Sequence, residues 1–144
     1  MAFGAKKIYP IDQVARKAVG VSLPFNGNAV FKSTFTTKDA IRNNLINFLL
    51  TNPQERVFNS AYGAGLRKFV FQQITRGTFN EIQTYIEDVL TKYFPNLAAQ
   101  ITVASSSDYN TIYITIDYII QNTGINDSVQ LNLSNGWKQR YKIF

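Results

Sequence analysis

The sequence predicts an α+β domain in which two helices pack on one face of a small, mostly antiparallel sheet, with an extended N-terminal arm and a terminal β-strand. Two segments carry apolar residues at helical spacing, and the C-terminal half carries segments in which apolar and polar residues alternate. With 45% hydrophobic and 14% aromatic residues, the 144-residue chain can bury one core. We therefore expect a single domain over residues 1–144, divided into an arm (1–35), an α+β core (36–136) and a basic C-terminal strand (137–144).

The arm is predicted because residues 1–35 contain no long periodic element. Gly20, Pro24 and Gly27 are turn-forming residues that interrupt it. Short extended pieces are expected between these turns.

The first predicted helix begins after a Thr36 or Thr37 cap and is stopped by Pro53. Its apolar residues recur at helical spacing: Ile41, Leu45, Ile46, Phe48, Leu49 and Leu50. This wide apolar stripe predicts burial on more than one side.

The second predicted helix begins with a capping box formed by Thr78 and Glu81, and it ends before Pro95. One face of this helix is apolar: Phe79, Ile82, Ile86, Val89, Leu90 and Tyr93. Glu87 and Asp88 are assigned to its outer face.

Between the helices, residues 57–58 and 69–71 are predicted as two short strands around a hairpin or tight loop at 61–65, which contains Gly63 and Gly65. The glycines lack the lysine of a phosphate-binding loop. Arg67 and Lys68 next to Phe69 and Phe71 could stack bases, but a half-buried strand explains them better because no basic stripe accompanies them.

After the second helix, residues 101–104 and 109–120 are predicted as strands around a Ser-Ser-Ser-Asp turn. Alternate residues from Ile112 to Ile120 share one face, and Asp117 is assigned to the other. Val129, Leu131 and Leu133 repeat the alternation after a polar segment at 121–128.

The last eight residues, WKQRYKIF, also alternate. Such a strand can close its own sheet or add to the edge of a neighbour's sheet.

Composition excludes several kinds of chemistry. Cysteine and histidine are absent, so disulfides, thiolate nucleophiles, the usual zinc ligands and histidine acid-base catalysis are excluded, and no cofactor or metal is expected. No apolar run approaches the ~20 residues of a spanning helix, and the N-terminus lacks the apolar stretch of a signal peptide. We therefore expect synthesis in the cytoplasm and no membrane partner.

The formal charge of +6 is confined to the chain ends. Residues 1–20 carry four basic and one acidic side chain, and 137–144 carry three basic ones. The rest of the chain is balanced. This distribution favours solvated ends or an acidic protein partner over nucleic acid, which we do not expect as a partner.

Glu55 is the best candidate for a catalytic acid among nine acidic residues. Because it follows Pro53 and precedes Arg56, an ion pair or a loop hydrogen bond explains it at least as easily as a raised pKa. Two other functions remain open at this point: a peptidoglycan-cleaving enzyme that uses Glu55, and a small nucleic-acid-binding module. No catalytic residue is assigned.

Several short segments, in order and at compatible spacing, resemble the baseplate wedge family of contractile-tailed bacteriophages, which is often labelled lysozyme-like. They are GVSLPF at 20–25, Phe31, IRNNL at 41–45, LLTNPQERVF at 49–58 and YGAGLRKFVF at 62–71. The likeness covers roughly residues 18–95, and relatives serve in type VI secretion and other contractile injection machines. Relatives commonly have Gly where this chain has Gln54, Pro where it has Ser60, and Glu where it has Gln72.

The resemblance implies a structural protein with no enzymatic activity. It lies where the inner baseplate meets the tail sheath, in multiple copies around a symmetric tail. The implied contact with the helical core bundle formed by other wedge proteins falls on Pro53, Glu55 and Arg56, the last two as a partner-facing ion-pair site.

The resemblance also implies that strands from adjacent chains extend the sheet, so that the baseplate templates the first ring of sheath. Combined with the basic alternating C-terminus, this assigns the tail sheath contact to five residues: Trp137, Lys138, Arg140, Tyr141 and Lys142. Tail tube and hub proteins are further candidate partners. The expected location is the virion, in the tail baseplate, after assembly in the host cytoplasm.

Overall fold

The structure is a computed structural model that describes residues 11, 17–22, 33–107, 111–121, 123–134 and, for the backbone, 140–143. Most of the predicted arm, together with Trp137 and Lys138, lies outside these residues. The elements run in the order β1 (Gly20–Val21), β2 (Ser33–Thr34), α1 (Thr37–Leu50), α2 (Arg67–Val70), α3 (Arg76–Tyr93), β3 (Leu97–Ser105), β4 (Thr111–Ile120), β5 (Ile125–Ser134) and β6 (Arg140–Ile143).

The main sheet is antiparallel, with strand order β3-β4-β5-β6, and the helices pack on one of its faces. The predicted α+β class is therefore confirmed. The strands β1 and β2 form a separate two-stranded ribbon that contacts α1.

The core lies between the helices and the sheet. The predicted alternation in β4 and β5 is confirmed, because every inward residue from Ile112 to Ile120 and from Val129 to Leu133 is buried. The helices contribute Leu45, Ile46, Phe48 and Leu49 from α1, and Ile82, Ile86 and Leu90 from α3. Asp117, Glu87 and Asp88 are exposed, as predicted.

Helix α1 begins and ends as the sequence predicts. Thr36 is its N-cap and accepts a hydrogen bond from the Asp39 backbone N–H at 3.3 Å. At the C-terminus, the Thr51 backbone N–H donates to the Asn47 carbonyl at 3.1 Å, and Pro53 follows two residues later.

The start of α3 differs from the prediction. Thr75, not Thr78, is the N-cap: it has extended backbone geometry and its hydroxyl accepts from the Thr78 N–H at 3.3 Å. Thr78 lies inside the first turn, where its buried hydroxyl donates to the Gln73 carbonyl at 2.8 Å. The predicted capping box with Glu81 is therefore wrong, because the helix starts one turn earlier than its apolar face suggests.

The two predicted strands between the helices are also wrong. Residues 57–58 belong to a loop, and residues 67–70 form α2, with Arg67 and Lys68 exposed. Phe69 and Phe71 would share one face of a strand, but Phe69 is fully buried while Phe71 is 83% exposed. At about 100° per residue, positions two apart point to nearly opposite sides of a helical turn, which accounts for this difference.

Strands β3 and β5 are longer than predicted, since β5 begins at Ile125 within the predicted polar segment. The backbone of β6 pairs with β5, from Val129↔Ile143 to Asn132↔Arg140. The described part of the C-terminal strand thus closes the chain's own sheet. None of the described helices has the length and hydropathy needed to cross a bilayer.

Candidate functional site

The α1–α2 loop, residues 51–66, contains Pro53, Glu55 and Arg56, which the family resemblance implies as a partner contact. Two tyrosines of α3 hold its second half. The Tyr93 hydroxyl donates to the Ala61 carbonyl at 2.9 Å, and the Tyr85 hydroxyl donates to the Ala64 carbonyl at 2.7 Å. Both bonds join residues more than twenty positions apart, so they fix the loop to the core helix.

Backbone hydrogen bonds close the base of the loop against the end of α1. The Ala64 N–H donates to the Phe48 carbonyl at 3.1 Å, and the Gly65 N–H donates to the Thr51 carbonyl at 3.3 Å. Gly63 is buried with φ of +122°, and a Cβ there would lie 2.5 Å from the Thr51 carbonyl oxygen. Only glycine allows this close approach of two backbone segments.

Glu55 braces the loop from within. Its Oε2 accepts from the Asn52 backbone N–H at 2.9 Å, and its Oε1 accepts from the Asn52 side-chain amide at 2.7 Å. The backbone hydrogen bond, followed by the side-chain one, lowers the pKa of the Glu55 carboxyl. A general acid needs a raised pKa, so these contacts favour the loop-brace interpretation of Glu55 over catalysis.

Arg56 has a different partner within the loop. Its guanidinium carbon lies 3.8 Å from the centroid of the Tyr62 ring, a cation–π contact. The Tyr62 ring in turn packs edge-on against the buried Phe48 at 5.1 Å between centroids. Glu55 and Arg56 therefore lie in the same loop with separate local contacts.

Gln54 has φ of +74°, the only positive value at a non-glycine position in the described part of the chain. A side chain in this left-handed conformation costs about 1–2 kcal/mol. Glycine, which the family resemblance leads us to expect at this position, adopts positive φ without that cost. The Gln54 N–H donates to the Ser60 carbonyl at 2.8 Å, which holds the turn closed.

The tip of the loop is apolar and exposed. Val57 is 91% exposed, and Phe58 is fully exposed. The apolar pattern of the sequence predicts a strand for both residues and therefore does not reveal this surface. The sequence signal for this exposed surface is the position of Val57 and Phe58, which lie between Glu55–Arg56 and the glycines Gly63 and Gly65.

A second polar group, which was not predicted from the sequence, lies under α1. Arg42 Nε donates to Asp127 Oδ2 at 2.7 Å, and Arg42 Nη2 donates to Asp127 Oδ1. The Tyr118 hydroxyl donates to Asp127 Oδ2 at 3.2 Å. This cluster connects α1 to β4 and β5, and the Asp127 side chain is only 6% exposed.

The surroundings of the cluster keep Asp127 ionised. Burial raises the pKa of Asp127. The hydrogen bonds from Arg42 and from the Ser128 backbone lower this pKa by more than burial raises it, so the net shift is downward. The bond to Asp127 raises the pKa of Arg42, and burial raises that of Tyr118. A carboxylate held in this ion pair stabilises the fold and is poorly suited to proton transfer.

A depression on the described part of the sheet offers little for catalysis. A shallow depression of about 560 Å³ lies against β3, β4 and β5, and the carboxyl groups in its lining are Asp117 and Asp127. Asp117 is exposed, and Asp127 is held by Arg42. Over the described ranges, acidic residues do not gather in groups of three or more that could hold a metal ion.

The structure places the two predicted contact sites on different elements. Pro53, Glu55 and Arg56 lie together in the α1–α2 loop, whereas Arg140, Tyr141 and Lys142 belong to β6, opposite Asn132, Leu131 and Gln130 of β5. Trp137 and Lys138 lie outside the described residues.

Comparison with known proteins agrees with this architecture. Residues 36–124 match the family of baseplate wedge protein gp25. The crystal structure of a candidate tail lysozyme from Geobacter sulfurreducens is similar with a TM-score of 0.62 and 20% identity, covering 69% of this chain and 91% of that one. A chain of the anti-feeding prophage baseplate, solved by cryo-EM, is similar with a TM-score of 0.50 and 16% identity, covering 83% of this chain and 78% of that one. No curated protein sequence matches the chain.

Proposed function

Because the chain belongs to the baseplate wedge protein gp25 family, we propose that it links the inner core of a contractile baseplate to the first ring of tail sheath and templates sheath assembly. Membership makes the chain a structural component of a phage-like tail baseplate. Beyond family membership, we propose which segments of the chain contact which neighbouring proteins.

The observation that carries the proposal is the α1–α2 loop. It is fixed to the core by Tyr85 and Tyr93, yet its tip and its Glu55–Arg56 step are exposed. A loop held in one conformation loses little entropy on binding, so it suits a permanent protein contact. We assign this loop to the helical core bundle of the other wedge proteins.

The sheath contact is assigned to the C-terminal strand. Within the described sheet, β6 is paired on one side only, with β5. A strand at the edge of a sheet offers main-chain hydrogen bonds to an incoming strand. The basic residues Lys138, Arg140 and Lys142 supply the charge that selects an acidic sheath segment and fixes its register.

In this proposal the protein acts by position and has no turnover. The lowered pKa of Glu55 and the paired state of Asp127 support that interpretation, because each carboxylate is committed to a structural contact. The chain functions as one domain, with the α1–α2 loop and the C-terminal strand as its assembly contacts, in several copies around the tail. Tail tube and hub proteins are secondary candidate neighbours.

Neutralising the C-terminal strand tests the sheath assignment. In a variant with Lys138, Arg140 and Lys142 changed to Gln, we expect baseplates to form normally and sheathed baseplates to fall about tenfold, since three exposed ion pairs contribute about 0.5 kcal/mol each. The measurement counts sheath-bearing baseplates by negative-stain electron microscopy. Substitution is preferable to deletion of 137–144, which would also remove β6 from its own sheet.

The matched control changes three exposed basic residues elsewhere, Lys17, Arg76 and Lys92, to Gln. Each variant loses three positive charges, so the formal net charge falls from +6 by the same amount in both. Equal sheath assembly by the two variants would overturn the assignment. Clearing of peptidoglycan by the purified protein, lost on Glu55→Gln, would overturn the structural function itself.

A further inference from the structure

The β1–β2 ribbon is attached to the rest of the protein through its contact with α1. Each strand is two residues long, with Gly20 opposite Thr34 and Val21 opposite Ser33. A ribbon of two strands is only marginally stable in water by itself, so this one depends on α1 for support. Among the described residues, the hydrophobic core takes no member from either strand. The packing of the core therefore does not require the ribbon to stay in place.

The two faces of the ribbon have an inverted polarity. Gly20 and Thr34 face α1: a Cβ added at Gly20 would lie 3.0 Å from Thr34 Oγ1 and 3.1 Å from the Ala40 Cβ. The next residue along each strand alternates to the opposite face, where Val21 is 45% exposed and Phe35 is 54% exposed. The ribbon thus buries a hydroxyl group against the helix and leaves two large apolar side chains half exposed.

The buried hydroxyl of Thr34 has no hydrogen-bond partner within the described part of the chain. Thr78 of α3 is equally buried, at 8% exposure, and shows the usual arrangement, because its hydroxyl donates to the Gln73 carbonyl at 2.8 Å. A buried polar group without a partner loses its hydration and gains nothing in exchange. The closed position of the ribbon carries this cost, and the cost disappears when the ribbon leaves α1.

We infer that the β1–β2 ribbon is a releasable clasp on α1, which opens while the core stays folded and is released when the chain joins the baseplate. This inference rests on the proposed function and adds a step to assembly. Segments with few buried apolar contacts open locally at a low free energy, and a neighbouring subunit that binds the open form shifts the chain toward it. Helix α1 stays in place on opening because Arg42 holds it to Asp127 of β5.

Amide hydrogen exchange tests the opening in the free protein. The Val19 N–H donates to the Thr34 carbonyl at 2.8 Å, so its exchange rate reports how often the ribbon opens. We expect this rate to be unchanged by low concentrations of urea, because local opening exposes little surface. The rate at Ile114, in the middle of β4, should rise with urea because its exchange requires global unfolding. NMR spectroscopy measures both rates.

Removing the unpartnered hydroxyl should hold the clasp closed. We expect Thr34→Val to slow exchange at Val19 about tenfold, because a methyl group replaces the buried polar group in a side chain of similar shape. Thr102→Val is the matched control, since it makes the same chemical change at an exposed position of β3. This control should leave the Val19 exchange rate unchanged.

A disulfide can lock the clasp, because the chain has no cysteine of its own. In a variant that combines Gly20→Cys with Ala40→Cys, the two Cβ atoms would lie 3.1 Å apart. Disulfides need about 3.5–4.5 Å, which a small shift of the ribbon provides. The oxidised variant is closed, and a reductant such as dithiothreitol releases it. The same molecule therefore serves as its own control.

The binding probe is the baseplate wedge complex purified from particles assembled without this chain, and biolayer interferometry gives the dissociation constant. We expect the oxidised variant to bind at least about tenfold more weakly than the reduced one, because the lock removes the open form that the neighbours bind. The reductant should leave binding of the wild type unchanged.

The outcomes separate the clasp from the proposed function. If exchange at Val19 follows urea as Ile114 does, or if Thr34→Val does not slow it, the clasp is wrong. If the oxidised and reduced variants bind the wedge complex equally well, release on assembly is wrong and the proposed function stands. If the wild type does not bind the wedge complex, the proposed function fails, and release on assembly fails with it.

Discussion

Replacing Asp127 with Ala is expected to lower the free energy of unfolding by about 3 kcal/mol near neutral pH, because it leaves the guanidinium of Arg42 buried without its main counter-ion. The Arg42 side chain is 15% exposed and that of Asp127 is 6% exposed, so water screens the pair poorly. Lys38 lies 3.9 Å from Asp127 but is 41% exposed, and it adds little. Urea unfolding monitored by circular dichroism measures the difference in free energy of unfolding between the wild type and the variant.

The pH dependence of the same pair has a definite sign. Since the folded pKa of Asp127 is below its unfolded value, the stabilisation is present above the unfolded pKa of about 3.9 and is lost as pH falls through the lower folded pKa. The wild type should therefore lose more stability between pH 5 and pH 2 than the Asp127→Ala variant does. Asp117→Ala, at an exposed position of β4, is the control and should change stability by less than about 0.5 kcal/mol. A loss at Asp127 no larger than at Asp117 would show that the cluster does not stabilise the fold.

Gly63→Ala is the second variant with a large expected effect. The added Cβ would lie 2.5 Å from the Thr51 carbonyl oxygen and 2.9 Å from the Thr51 carbonyl carbon, which are backbone atoms and cannot rotate away. With the strain of positive φ, we expect the free energy of unfolding to fall by about 3 kcal/mol. The added Cβ also forces the α1–α2 loop to shift. We therefore expect binding to the other wedge proteins to weaken in addition to the loss of stability.

Gly124→Ala separates backbone strain from steric overlap. Gly124 also has positive φ, at +64°, but nothing lies within 4 Å of the position that its Cβ would take. This control should cost only about 1 kcal/mol and should leave wedge binding unchanged. If Gly63→Ala and Gly124→Ala lowered the free energy of unfolding equally, the close contact between Gly63 and Thr51 would not determine the shape of the loop.

The elements with long and regular periodicity could be predicted from the sequence. Strands β4 and β5 bury the residues expected, and so do most of the predicted apolar positions of α1, whereas the predicted face of α3 is fully buried only at Ile82, Ile86 and Leu90. These patterns work because a single buried face imposes one period on many residues, so that no individual side chain decides the outcome.

Short segments could not be predicted in the same way. Helix α2 is four residues long, and its Phe69 and Phe71 fit a strand pattern equally well. Which of the two is buried depends on how α3 packs, with Tyr85 contacting Phe69 at 5.5 Å between ring centroids. The position of the α3 cap likewise depends on the extended conformation of Thr75, which the apolar pattern does not encode.

The buried charge cluster had a signal that was available in the sequence. Arg42 lies one helical repeat before Leu45 and Ile46, on the same stripe, and Asp127 lies two residues before Val129, on the inward face of its strand. When each apolar pattern is extended by one repeat, the inward face of α1 carries a positive charge, Arg42, and the inward face of β5 carries a negative charge, Asp127. The pairing itself requires knowing that α1 packs on β5, which only the tertiary fold provides.

A cryo-EM map of the tail particle assembled from the parent genome tests the central claim most directly, namely that this chain is a fixed structural link within a baseplate. We expect density for the chain in several copies around the tail axis, with the α1–α2 loop against adjacent wedge proteins and the C-terminal strand beside the first sheath ring. A particle that lacks the chain, or that holds it with the α1–α2 loop facing solvent and the C-terminal strand remote from the sheath, would contradict this claim.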